Sequence, residues 1–257
     1  MEPDQSPQLP PHYALVRRAR VDSAVAEAIR QARDGAEEGT LVWADEQSDA
    51  RTRSGHAWFS PPGNLHCALV LRPDYDKARS GELAYVAAVA AGSALAELLA
   101  PMTGLRYRWP GDLLINELDA GRILLAASDS GGERYDWLVI GIMVNVALHP
   151  PNPEPERYNS VHASGAPEVT AARLLEDFSR FFLHWINRWA EEGLAPVARQ
   201  WQIRADGIGE ALTLDIGGRR ASGTFVEIDP QGRLVLSASG AGERRISVNE
   251  YFALDGE

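Results

Sequence analysis

A chain of 257 residues is long enough for one large domain or two smaller ones, and 45% hydrophobic with 24% charged residues is an ordinary globular mix. Its formal charge of −11 argues against a nucleic-acid partner, because such binding depends on neutralising phosphates. A single cysteine, Cys67, excludes a disulfide framework and any Cys-rich metal site, and Lys77 is the only lysine beside 24 arginines.

Residues 1–12 are acidic and proline-rich with no basic-then-apolar signal pattern, so they read as a disordered lead on a cytoplasmic protein. Residues 13–21 alternate loosely and read as a strand. Asp22 and Ser23 then offer an N-cap to a helix that Gly35 stops. A short strand over 40–44, a polar loop over 45–57, a turn at 60–63 and a strand over 64–72 follow. The stretch 83–100 is rich in alanine and carries Glu97, which fits a buried helix better than a membrane span. No membrane partner is expected.

Two apolar runs, 113–116 and 123–128, are separated by ELDAGR and suit a β-hairpin. Residues 136–148 read as a buried strand. The five prolines within 149–168 mark a long loop, of the kind that is usually functional or disordered. From 167 to about 192, Leu174, Leu175, Phe178, Phe181, Phe182, Trp185, Ile186 and Trp189 recur at three- and four-residue steps, giving a helix with one broad apolar face that Gly193 ends. Beyond Trp201, short strands with glycine turns read as a small β-barrel. The expected organisation is a lead over 1–12, an α/β domain over 13–201 and a barrel over 202–257.

Five segments in register resemble the biotin/lipoate protein ligase family. They are ADEQ (44–47), WFSPPGNLH (58–66), RWPGDLLIN (108–116), DWLVIGIMVNV (136–146) and EEGLAPVARQW (191–201). The run GRRASGTFVEIDPQGRLVL (218–236) is similar to that family's SH3-like C-terminal barrel. No counterpart of the N-terminal winged-helix domain of bifunctional members is expected before residue 13. The resemblance implies a mixed β-sheet flanked by helices. It also implies ATP-dependent activation of a carboxylic acid to an acyl-adenylate, and transfer to a lysine of a biotinyl or lipoyl carrier protein. The WFSPPGNLH segment and the barrel favour biotin over a lipoate-type acid, and magnesium would arrive with ATP. The oligomeric state stays open. Such chemistry needs preorganised positive charge at the α-phosphate and loops that keep water from the anhydride.

The matches carry over residue by residue. The loop 45–57 falls on the family's Gly-Arg-rich segment, which folds over the adenylate. Arg51, Arg53 and Gly55 match it, Gln47 takes the place of the ligand-binding glutamine, and Trp58 follows. Ala50 and Thr52 replace glycines and His56 replaces an arginine, so the loop loses conformational range. A solvated surface loop with incidental arginines is the alternative. Ser23 falls near the biotin ring, but an ordinary N-cap accounts for it equally well.

The segment RWPGDLL parallels KWPNDLL. Arg108 keeps the charge of the first lysine, Asp112 falls near the phosphates or metal, and Gly111 replaces an asparagine. Beyond it, the family's catalytic lysine falls on Asp119 and a nearby glycine on Arg122. At about 4 Å and an effective dielectric of about 20, each charge–charge interaction is roughly 4 kcal/mol, so replacing a cation by an anion is a swing approaching about 8 kcal/mol. Arg122 and Arg108 are the catalytic candidates; Arg122 restores positive charge as a clamp with Arg53, or it fills the pocket. Asn145 is kept, while Met143 replaces a glycine. Cys67 sits in an apolar run and reads as core, and the histidines show no metal spacing. Two functions therefore stand. One is a divergent ligase. The other is a non-catalytic protein that holds a ligand or a carrier domain on the same fold.

Overall fold

In chain order the secondary structure is β1 (Ala14–Val21), α1 (Ala24–Arg33), β2 (Thr40–Gln47), β3 (Leu65–Leu71), a single turn α2 (Lys77–Ser80), α3 (Glu82–Leu98), β4 (Leu105–Arg108), β5 (Asp112–Ile115), β6 (Leu118–Ser128) and β7 (Trp137–Val144). There follow α4 (Ala171–Glu192), α5 (Ala195–Ile203), β8 (Ala211–Ile216), β9 (Arg219–Ile228), β10 (Leu234–Ala238), β11 (Gly242–Ile246) and α6 (Val248–Phe252). This computed structural model describes residues 6–128, 131–151, 153, 156–238 and 242–254. Residues 1–5 of the expected lead lie outside them. The rest of the lead packs down: the Gln8 amide donates to the Glu176 carboxylate at 2.7 Å and Leu9 joins the core.

Seven strands form one mixed sheet in the order β1-β2-β3-β7-β6-β5-β4. Only β1 and β2 run parallel, joined through α1, and every other pair is antiparallel. One face packs Val42, Ala44, Ala68, Val70 and Val139 against Ala24, Ala28 and Ala32 of α1. The small side chains let the helix lie close. The other face carries the main core under α3 and α4. Helix α3 is buried on nearly every side, which explains its lack of an amphipathic stripe. The stretch Lys77–Leu98 is long and apolar enough to cross a membrane by length and composition, yet most of it is buried inside the protein.

Several boundaries differ from the sequence expectation. Strand β2 runs on to Gln47, because Arg20 and Val21 of β1 extend the parallel ladder to Glu46 and Gln47. Helix α4 starts at Ala171, where the Thr170 hydroxyl accepts from the Arg173 amide at 3.1 Å. The hairpin turn is only Asn116 and Glu117, both at positive φ, so ELDAGR belongs largely to β6. The expected barrel appears as a four-stranded antiparallel sheet in the order β11-β10-β9-β8, with no pairing that joins its ends among the described residues. Its last strand stops at Ile246, and Ser247 caps the short helix α6 through the Glu250 amide.

Gly92 marks a close approach inside the core. A Cβ there would collide with the phenol of Tyr107, a fully buried ring stacked on Trp201. Gly92→Ala should therefore destabilise the fold by about 1–3 kcal/mol, although it improves helix propensity. Chemical denaturation at constant m-value measures this; an unchanged or higher midpoint would show that Tyr107 can move aside.

Candidate functional site

One row of paired residues crosses the sheet and builds the site. Arg108 of β4 lies opposite Asp112 of β5, which lies opposite Arg122 of β6, then Met143 of β7, His66 of β3 and Ala44 of β2. Directly opposed residues share a face, here the face that carries α1. Helix α1 covers the β2, β3 and β7 end of this face and leaves the β6 end to the loop 48–57.

Asp119 joins the row through an irregularity. Leu113 pairs with Gly121 but Leu114 pairs with Asp119, so Ala120 is an extra residue in β6. This β-bulge resets the alternation and brings Asp119 onto the face of Arg122, three residues away. Arg122 then grips Asp112 through two hydrogen bonds, each 2.6 Å. Arg108 donates to Asp119 at 2.6 Å and also reaches Asp206 at 3.5 Å, while Arg157 approaches Asp119 at 3.4 Å. Burial pushes the Asp112 carboxyl above the ordinary range, against the opposing pull of Arg122.

The long loop of 149–168 closes over this cluster. The Asp119 amide donates to the Arg157 carbonyl at 2.9 Å and the Asp119 carbonyl accepts from the Asn159 amide at 3.0 Å, so the loop pairs with β6 at Tyr158. Asn145, at the end of β7, donates through Nδ2 to the Asn159 carbonyl at 3.1 Å. Buried Asn64 holds the next turn: its Oδ1 accepts from the amides of Val146, Ala147 and Leu148, each at 3.0 Å.

A cavity of about 710 Å³ lies between these parts. Trp58, Ser60, Asp119, Arg122, Asn145 and Tyr158 are among its walls. The Arg122 guanidinium stands 5.7 Å from the centre of the Trp58 ring. A smaller cavity of about 130 Å³ adjoins it, where Arg122 and Asp112 meet Arg53 and Tyr251.

The structure thus gathers Arg108, Asp112, Asp119, Arg122, Asn145 and Trp58, and it employs the other expected residues differently. Gln47 is buried beside the cavity: its Oε1 accepts from the Ala24 amide at 2.7 Å and its Nε2 donates to Ser60 Oγ at 3.0 Å. Ser23 is the N-cap of α1. Arg51 pairs with Asp49 at 2.7 Å and donates to the Gly55 carbonyl, which closes a tight loop that Gly55 completes at a φ of +80°. Arg53 points to the C-terminal sheet, donating to the Asp215 carbonyl at 2.5 Å with its guanidinium 4.2 Å from the centre of the Tyr251 ring.

Sequence reasoning missed Asn64, Arg157, Tyr158, Asp206 and Tyr251. The proline-rich loop flagged the region of Arg157 and Tyr158, but nothing local marks the others. Cys67 is fully buried and burial pushes its thiol up, as befits a core residue. Among the described residues no group of three or more His, Cys, Asp or Glu side chains is placed to hold a metal ion. Asp112 does not fit magnesium as it stands, since both its oxygens are engaged by Arg122.

Residues 9–203 match the biotin/lipoate A/B protein ligase family, and the chain belongs to that family. Its relatives include a biotin–[acetyl-CoA-carboxylase] ligase of Paracoccus denitrificans, 33% identical over 91% of this chain and 98% of the relative. A crystal structure of a biotin protein ligase-like protein of unknown function from Silicibacter superposes with a TM-score of 0.78 at 29% identity, over 95% of this chain and 97% of that one. The biotin protein ligase of Aquifex aeolicus, solved in complex with biotin and ATP, shares the fold with a TM-score of 0.77 at 21% identity, covering 92% and 96%.

Two predictions test this architecture. Asn64→Ala removes one acceptor shared by three amides and should destabilise by about 2 kcal/mol, with faster hydrogen exchange at residues 146–148. Exchange there at the wild-type rate would assign the turn's order to other contacts. His66, buried in the cross-strand row, has its pKa lowered to about 4 from an ordinary 6.5, chiefly by burial. The unfolded chain therefore takes up the proton first, so stability is full above pH 6.5 and is lost as pH falls towards about 4. The loss should reach about 3 kcal/mol and should be smaller in His66→Gln. Parallel pH–stability curves for the two proteins would contradict it.

Proposed function

We propose that this chain binds a biotin-like acyl group in the larger cavity, as a ligand-binding protein on the ligase fold. The observation that carries this reading is the convergence of Trp58, Asp119, Arg122 and Asn145 on one cavity whose size is that of a small-molecule site. The aspartate at the lysine position supports binding without catalysis. A catalytic cation must face both a carboxylate and a phosphate, whereas the residue that the motif aligns with it, Asp119, is an anion paired to Arg108 and Arg157.

Ligation is the second reading, favoured by family membership and by Arg122 in the cavity wall. In it ATP activates the acid to an acyl-adenylate and a lysine of a carrier protein receives the acyl group. Arg122 and Arg53 supply the positive charge, after Arg122 leaves Asp112 and Arg53 leaves Tyr251. Closure of the loop 48–57 excludes water.

ATP–pyrophosphate exchange with biotin, lipoate and octanoate, run beside calorimetric titration of the same ligands, separates the two. Binding without exchange is expected for the wild-type chain. Exchange with any of the three acids would establish ligation and overturn the first reading. No binding of any acid or acid derivative would overturn both.

A further inference from the structure

Among the described residues, the charged groups at the cavity wall and next to it are paired with one another. Arg108 and Arg157 pair with Asp119 and Asp206 in one connected set of ion pairs, and Arg122 pairs separately with Asp112. The Asp119 side chain is only 12% exposed, so solvent screens it weakly. The two loop arginines do not add positive charge to the cavity. Arg51 is paired with Asp49, and Arg53 is turned towards Asp215 and Tyr251.

A free acid entering this cavity would bring a fourth anion to a set of three and three. It would also offer Asp119 nothing but acceptor atoms, and an ionised carboxylate is itself acceptor-only. An amide differs on both counts. It is neutral, and its N–H is a donor that a carboxylate accepts, while its carbonyl suits the donors of Arg122 or Arg157.

We propose that the site takes its acyl group as a neutral amide in preference to the free acid. This rests on the binding reading given above and names its ligand class. The same amide occurs in a small acyl amide and in a lysine side chain that already carries the acyl group, and both present the same donor and acceptor.

Calorimetry on the full chain with biotin, biotin N-methylamide and a short peptide bearing biotinyl-lysine tests the proposal. The methylamide should bind at least about tenfold more tightly than biotin, the effect of one uncompensated charge at partial screening. Peptide binding tighter than the methylamide assigns the amide to an acylated carrier; equal binding assigns it to a small molecule. Biotin binding as tightly as the amides would overturn this proposal and leave the binding reading intact, whereas no binding of any ligand would overturn both. In Asp119→Asn the preference for amide should shrink to threefold or less (roughly 0.6 kcal/mol). A preference unchanged in a variant with a wild-type thermal melt would remove Asp119 as its cause. If that variant fails to fold, the wild-type comparison of acid with amide decides alone.

Discussion

Between Asp119, which faces Leu114, and Gly121, which faces Leu113, strand β6 carries one residue that β5 leaves unpaired. In a regular strand two residues three apart project to opposite faces, and Asp119 would then enter the apolar layer beneath α3. The extra residue places Ala120 in that layer instead and turns Asp119 towards Arg108. The pairing of the long loop with β6 at Asp119 and the place of Asp119 in the cavity wall follow from this one offset. A bulge next to a site is a common way to re-aim a side chain.

Much of the fold was legible in the chain because its elements carry strong periodic or punctuating signals. The stripe from Leu174 to Trp189 shows the α4 face, and the run 65–71, apolar but for His66, shows a strand buried on both faces. What escaped notice is set by contacts between distant segments. Nothing local says that Gln47 extends β2, since its strand conformation is fixed by the β1 ladder and by the α1 amide it accepts. The bulge at Ala120 is equally silent, because ELDAGR has the composition of a turn and becomes strand only when Asn116 and Glu117 absorb the reversal.

The site was partly legible, for a different reason. The family motifs single out Asp119, Arg122 and Asn145, which line the larger cavity, Asp112, which lines the smaller one, and Arg108, which lines neither and pairs with Asp119. They do not fix how charges pair. The scarcity of lysine fits arginine usage at Arg108, which keeps a cation, but it does not account for an aspartate at 119. Read with its partners, Asp119 is the centre of an ion-pair set and not an isolated loss. Removing one member of such a set leaves another charge buried and uncompensated, which costs more than the pair itself contributes. Arg108, Arg157, Asp119 and Asp206 are therefore constrained jointly, and Arg122 with Asp112.

Arg53 spans two parts of the molecule, with its backbone in the loop beside the cavity and its guanidinium against Asp215 and Tyr251 of the C-terminal segment. Tyr251 in turn rests on Trp109, edge to face at 4.9 Å, and Trp109 donates to the buried Tyr85 hydroxyl at 2.6 Å. The order of the loop and the folding of the last fifty residues are thus thermodynamically linked. Fraying of the small C-terminal sheet would therefore release the Arg53 side of the loop, a coupling between segments about 160 positions apart of the kind expected where local unfolding units share contacts.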